Sequence, residues 1–347
     1  MPNKLFNTIR PTIAILLGLL LAFILILFVS DTPITAMNYF LFGPLTNTRY
    51  LGNVLELTIP LIFSGLGTAI LFRANQFNLG AEGIFYFSGL MSAIVAIKAP
   101  ITSPILLPLL CIIVGMLVGM AISFIPGILK AKLGANELVS SLMLNSILIG
   151  VGSYIMNNTI RDKNLTDVAS VKFPQAARLA TIVPHTRIHT GLILALAISL
   201  ALYLFFKHHK WGYLIRMFGM NKSYLSLAGY SAPAVIILVH IIGGAISGIG
   251  GSVEVLGMYS RFRWATLPGL GFDGAMVAML AKNKPIPVIF SALFIAYIRT
   301  GADIMARQSD VTAEMVYIVQ AVMILLISAD KFLYHLEQKQ LMKKAGV

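Results

Sequence analysis

Apolar runs of helical length recur along this chain, near residues 5–30, 54–72, 83–97, 104–125, 138–156, 191–206, 234–253, 273–281, 286–298 and 313–329. A helix needs about 20 predominantly apolar residues to cross about 30 Å of hydrocarbon. Only a bilayer accommodates so many such runs. The pattern therefore predicts an all-α polytopic membrane protein of about ten transmembrane helices, forming one transmembrane domain over 1–347. Apolar residues make up 58% of the chain and charged residues 11%, against roughly 45–50% and about 25% in soluble domains. A soluble enzyme with one core, a secreted disulfide scaffold and a disordered chain are excluded. The single cysteine, Cys111, lies inside an apolar run and has no partner for an internal bridge.

The net charge of +13, from 26 Lys and Arg against 13 Asp and Glu, falls between the apolar runs rather than on one face. That placement fits loops held at an anionic cytoplasmic leaflet and argues against nucleic acid as a partner. Lys4 precedes the first run and Arg10 stands near its start; the run is longer than a signal-peptide core and lacks a small-residue cleavage site, so it reads as a membrane anchor. With the amino end inside, alternation makes 31–53 and 157–190 external, and 211–231 and the tail 331–347 cytoplasmic.

The runs 273–281 and 286–298 are too short to span alone and are separated by Lys282-Asn283-Lys284-Pro285-Ile286-Pro287. Either they extend into their flanks or they are broken helices. Broken helices point to a transport site, because irregular backbone at membrane depth is tolerated only where protein or a water-filled cavity satisfies it. Glu56, Glu82, Glu254 and Asp273 also stand in or beside apolar runs. Ionised carboxylates there must line a substrate path, carry protons, cap a helix or pair with arginine. The segments Phe77-Asn78-Leu79-Gly80-Ala81-Glu82-Gly83 and Gly271-Phe272-Asp273-Gly274-Ala275 both give Phe, an amide or acid, then Gly-Ala. Pairing the second to fifth runs with the seventh to tenth reverses orientation, which predicts an inverted repeat.

Gly115 with Gly119 and Gly244 with Gly248 have the spacing that lets membrane helices approach closely. Ser247 and His240 lie about 10 Å apart along one helix, too far for direct proton transfer, so no catalytic site is expected. His185 and His189 have a metal-ligand spacing but sit in a polar loop without an acidic partner, so no metal site is expected. No G-x-x-x-x-G-K-[ST] phosphate loop occurs, so any ATP energy must come from another chain. The segment 211–231 is long enough for an amphipathic helix lying in the interface, ending at Gly229 before Pro233.

Four motifs occur in order: Phe77 to Gly83; Gly134-Ala135-Asn136-Glu137 with Met143-Leu144-Asn145; Gly219-Met220-Asn221 with Ala228-Gly229-Tyr230; and Gly271 to Ala275. Over about 50–330 the chain resembles permeases of bacterial ABC importers for nucleosides and simple sugars, the nucleoside type most. Leu79 and Ser223-Tyr224-Leu225 depart from the more usual Ile and alanine-rich sequence. The resemblance implies a type II importer permease of the bacterial cytoplasmic membrane, working with a cytoplasmic ATPase, a second permease that is a paralogue or a copy, and an extracytoplasmic substrate-binding lipoprotein. It implies no cofactor bound by this chain, ATP being used by the partner. Gly219, Asn221, Tyr224, Leu225, Ala228 and Gly229 then belong to the ATPase-coupling segment, with Tyr224 and Leu225 packing into the ATPase. Asn75, Asn78, Glu82, Asn145, Glu254 and Asp273 are the expected substrate path, polar groups suited to an uncharged cargo. The competing reading is an ion-coupled secondary transporter using the intramembrane carboxylates.

Overall fold

The computed structural model describes residues 20–21, 23–28, 30–184, 186–312, 318 and 321. Most of the first apolar run, nearly all of the last, the tail 331–347, His185 and the side chains of Tyr224 and Ser226 lie outside the described residues. The described α-helices are α1 Pro33–Phe42, α2 Thr48–Arg73, α3 Ala81–Lys98, α4 Leu106–Leu133, α5 Glu137–Thr159, α6 Gly191–His208, α7 Lys210–Met220, α8 Lys222–Leu227, α9 Ala232–Met258, α10 Leu270–Leu280 and α11 Pro285–Gln308. Among them α2, α3, α4, α5, α6, α9 and α11 are long and apolar enough to cross a bilayer.

The chain divides into two compact units, Met1–Leu51 with Tyr297–Val347, and Gly52–Ala296. In the first, Gly301 sits against the Phe40 carbonyl, Gly43 against Ile304, and the Tyr297 hydroxyl donates to Leu41 O. Ser30 Oγ donates to Asp310 Oδ1 at 2.6 Å.

In the second, α4 and α9 form the central pair. Gly119 abuts the Gly244 carbonyl, Gly248 abuts the Gly115 carbonyl, and no side chain stands between the backbones. Lipid supplies no hydrophobic drive between helices, so this close packing holds them, helped by Ser92 bonded to Ser252 at 2.7 Å and to Cys111 O at 2.8 Å. Ser247 packs against Gly67 of α2, and His240 Nδ1 bonds Ile236 O at 2.8 Å, so both are packing residues. α4 stops at Gly134, whose φ of +68° suits glycine and closes the helix onto Leu129 and Lys130.

The two short runs resolve differently. The run 286–298 extends to Gln308 and becomes a full span, whereas 273–281 remains an 11-residue helix, about 16 Å long. α9 ends at Met258 beside the 157–190 loop: Phe173 N donates to Ser260 O at 2.9 Å and Phe262 N to Ser170 Oγ at 2.9 Å. From there 259–269 runs without helix along α3, Phe262 meeting Tyr86 at 5.8 Å and Trp264 lying against Gly89. α10 then continues to the opposite face, where Asn283 O accepts from Arg73 Nη1 at 3.2 Å. The crossing is half extended chain and half helix. Its counterpart is the stretch 74–80, which leads from the end of α2 into α3.

Candidate functional site

The two non-helical stretches meet at Glu82. This residue is in the first turn of α3, fully buried, and its carboxylate reaches the amino end of α10. Oε1 accepts from Gly269 N at 2.5 Å, while Oε2 accepts from Gly271 N at 2.6 Å and Phe272 N at 3.2 Å. Three otherwise orphaned helix-end donors are thus satisfied by one carboxylate, at the end where the helix dipole favours negative charge. Gly271 lies directly on the backbone of Ala81 and Glu82, so any side chain there collides with it. Gly269, with φ +80°, makes the turn into the helix. Ser64 of α2 lies against Gly271 and Gly274, about 13 Å before the end of α2, so the junction is set inward from the end of that helix.

The stretch entering α3 is held by one face of α5. Glu137 Oε1 accepts from Phe77 N at 3.3 Å, Ser141 Oγ accepts from Leu79 N at 3.2 Å, and Asn145 Oδ1 accepts from Gly83 N at 2.9 Å. Asn145 Nδ2 also donates to Leu79 O at 3.0 Å. Spacings of four residues put all three on one stripe, each satisfying backbone that no helix serves. Glu137 is itself paired with Lys130 at 2.7 Å, and Asn136 caps α5 by accepting from Leu138 N and Val139 N. Sequence reasoning singled out Asn145 but missed Glu137 and Ser141. Their signal was the four-residue spacing of polar groups along an otherwise apolar helix.

Of the expected path residues, Asn78, Glu82, Asn145 and Asp273 converge on the two stretches and are buried. Asn78 Oδ1 accepts from Gly80 N at 2.6 Å, tightening the turn into α3. Asp273 stands in the first turn of α10. Asn75 is exposed, at φ 53°, a left-handed position that asparagine tolerates and that ends α2. Glu254 is buried but belongs elsewhere, within electrostatic reach of Glu56 towards the 157–190 loop, where Arg187 approaches Glu56 Oε1 at 3.8 Å. The four carboxylates therefore form two groups.

At the opposite face, α7 and α8 form the interfacial segment. His209 caps α7 by accepting from Trp211 N, and Asn221 Oδ1 accepts from Ser223 N at 2.9 Å at the start of α8. Gly219 rests on the carbonyl of Arg73, tying α7 to the end of α2. Tyr213, Arg216, Met217, Met220 and Asn221 line a hollow of about 620 Å³. The structure corrects one expectation: Leu225 is fully buried within this chain, because helical periodicity turns it inward while Met220, Leu227 and Tyr230 face out. Ala228 and Gly229 are exposed, Gly229 at φ +80°. Among the described residues no group of three or more His, Cys, Asp and Glu could hold a metal.

This architecture has relatives. A nucleoside ABC transporter permease protein of Lactococcus lactis subsp. cremoris is 30% identical over 343 residues, covering 96% of this chain and 93% of its own length. A guanosine ABC transporter permease protein of Bacillus subtilis is 30% identical over 337 residues, covering 95% of each. A glucose ABC transporter permease protein of Haloferax volcanii is 29% identical over 332 residues, covering 93% of this chain and 87% of its own. No solved structure gives a significant match. These relatives are transport components rather than enzymes, and a multi-pass protein of the cell membrane is what the apolar helices require. Residues 50–328 match the family described as branched-chain amino acid transport system / permease component, and the chain belongs to it, as a permease subunit of an ABC importer.

Proposed function

We propose that this permease carries a nucleoside across the bacterial cytoplasmic membrane. The observation that carries the reading is the likeness, along nearly the whole chain, to two permeases named for nucleosides and guanosine. A simple sugar is the neighbouring cargo, on the likeness to the glucose permease. The chemistry agrees. The junction is built from backbone amides, Asn78, Asn145, Glu82 and Asp273, groups that exchange hydrogen bonds with an uncharged polar cargo.

In this reading Asn75, Asn78, Glu82, Asn145, Glu254 and Asp273 border the route, with Glu254 at its external mouth and Asn75 at its cytoplasmic end. The segments 31–53 and 157–190 are external, and 211–231 is the cytoplasmic contact for an ATPase that binds and hydrolyses the ATP. Gly219 and Asn221 set the position of that contact, Leu225 anchors it from within, Ala228 and Gly229 lie on its outer part, and Tyr224 belongs to the same segment. A second permease and a substrate-binding lipoprotein complete the importer. Family membership sets aside the ion-coupled alternative, since transport is then driven by the ATPase.

The test is co-purification of the tagged chain from its native membrane, followed by uptake of radiolabelled nucleosides and glucose in reconstituted vesicles. ATP-dependent uptake of a nucleoside, competed by nucleosides and not by glucose, is expected. Glucose uptake unaffected by nucleosides overturns the cargo.

A further inference from the structure

We infer that Glu82 is the latch of the translocation gate, a positioning residue that keeps the amino ends of α3 and α10 closed upon each other and lets go when the route opens. α3 and α10 meet end to end, both by their amino termini, and run from that meeting to opposite faces of the membrane. The junction is held by hydrogen bonds from Gly269, Gly271 and Phe272 to a single side chain.

The rest of the unit treats the two sides of the junction differently. On the α3 side, Glu137, Ser141 and Asn145 of α5 bind the entering backbone at four points, so α3 and its lead-in move with α5. On the α10 side the lead-in 259–269 ends at Gly269, Gly271 follows one residue into the helix, and α10 is a single short helix followed by a turn with Lys282 and Asn283 at φ 53° and 57°. One half is bonded through its backbone to α5, while the other rests on Ser64 of α2 and on Arg73 at its far end and turns at Gly269 and at Lys282-Asn283. Gly271 lies so close to Glu82 that not even a methyl group fits between their backbones. A carboxylate suits the task because its bonds to backbone N–H are strong while closed, and because on release it remains an acceptor that cargo hydroxyls can satisfy in its place.

The latch rests on the transport reading above, and its test separates the two. The reporter is Ala275→Cys, at a buried position on α10, in a Cys111→Ala background, and the rate at which N-ethylmaleimide modifies the introduced thiol is followed in the purified complex. Without ATP or cargo, Glu82→Gln is expected to raise that rate about tenfold or more, because the isosteric amide keeps the packing but loses the charge-assisted bonds. Gly271→Ala, which forces the same ends apart sterically, is expected to do likewise. A control thiol from Ala195→Cys, buried on α6, stays protected in both, which a general loosening of the fold would not allow. Equal rates for the α10 reporter with Glu82 intact and with Glu82→Gln overturn the latch whatever the cargo is. Should neither variant accumulate, the reporter protein with Glu82 intact decides: its α10 thiol becomes reactive during ATP turnover, or the latch is wrong. Failure of nucleosides to stimulate turnover, with the Glu82→Gln effect intact, sinks the cargo and leaves the latch standing.

Discussion

Gly219 at the end of α7 lies on the carbonyl oxygen of Arg73 at the end of α2, with no room for a side chain between them. The interfacial segment is thereby fixed to the residue from which the chain leaves α2 for the stretch leading to Glu82. Motion of α7 must pass into that stretch or be lost at this contact. Because the obstacle is backbone, Gly219→Ala cannot be relieved by a rotamer change, and overpacking of this kind costs about 1–3 kcal/mol. We expect Gly219→Ala to lower cargo moved per ATP hydrolysed by more than it lowers the amount of folded permease. Gly150→Ala is the control, since nothing lies within 4 Å of a Cβ there. It is expected to hold or raise the thermal midpoint, by up to about 1 kcal/mol of helix propensity.

Asn145 satisfies one buried donor and one buried acceptor on the stretch entering α3. Asn145→Ala leaves both without partners, at a cost of about 1–3 kcal/mol for each group. Asn145→Asp keeps the bond from Gly83 N, loses the one to Leu79 O and buries a charge. Both are expected to lower the thermal unfolding midpoint in detergent, in contrast to Asn75→Ala, which alters an exposed residue. An unchanged midpoint for Asn145→Ala would show that the stretch is held by other means.

The motifs Phe77 to Gly83 and Gly271 to Ala275 were legible as paired segments, and the structure brings Glu82 of the first to Gly271 of the second. Gly115, Gly119, Gly244 and Gly248 were legible as a packing surface because lipid leaves little else to hold helices together. The extended passage 259–269 was not, since hydropathy counts apolar residues without regard to whether they form helix. Which side of α8 faces inward was also hidden. A six-residue helix has too few turns to show an amphipathic stripe, so Leu225 read as a surface residue. The clamp by Glu137, Ser141 and Asn145 joins residues some 60 positions apart, and only the packed structure reveals that pairing.

At the face carrying the 157–190 loop, His189 is buried against Gly257, with Nδ1 accepting from Gly191 N at 3.2 Å. Burial lowers its pKa to about 4. The ordinary value is about 6.5, so between the two the unfolded loop binds a proton that the folded loop refuses, and stability falls as pH drops. Asp162 shifts differently. The hydrogen bond from Arg261 at 2.6 Å holds its carboxyl below the usual range, so its contribution is present above the ordinary Asp value, about 4, and is lost only as pH falls through the lowered one. Between about pH 7.5 and about pH 5 the loss of stability should therefore come from His189 rather than from Asp162. Proteolytic nicking of 157–190 is expected to rise over that interval, and His189→Asn to remove the dependence. Acid sensitivity that persists in His189→Asn but vanishes in Asp162→Asn reverses the assignment.

Leu225 and Leu227, two positions apart on α8, should behave as opposites. Leu225 is fully buried, so Leu225→Asp places a carboxylate among apolar side chains and should cost several kcal/mol, seen as loss of folded permease from the membrane. Leu227 is 86% exposed, and nothing in this chain is harmed by a charge there. If 211–231 is the contact for the ATPase, Leu227→Asp and Met220→Asp, the latter at a side chain 88% exposed, should leave the permease folded while the ATPase is lost from the purified complex. The comparison reads folding from size-exclusion profiles and partner retention from the same eluate. An ATPase retained in full by both exposed variants would move the contact away from α7 and α8, and the hollow beside Met220 would need another occupant.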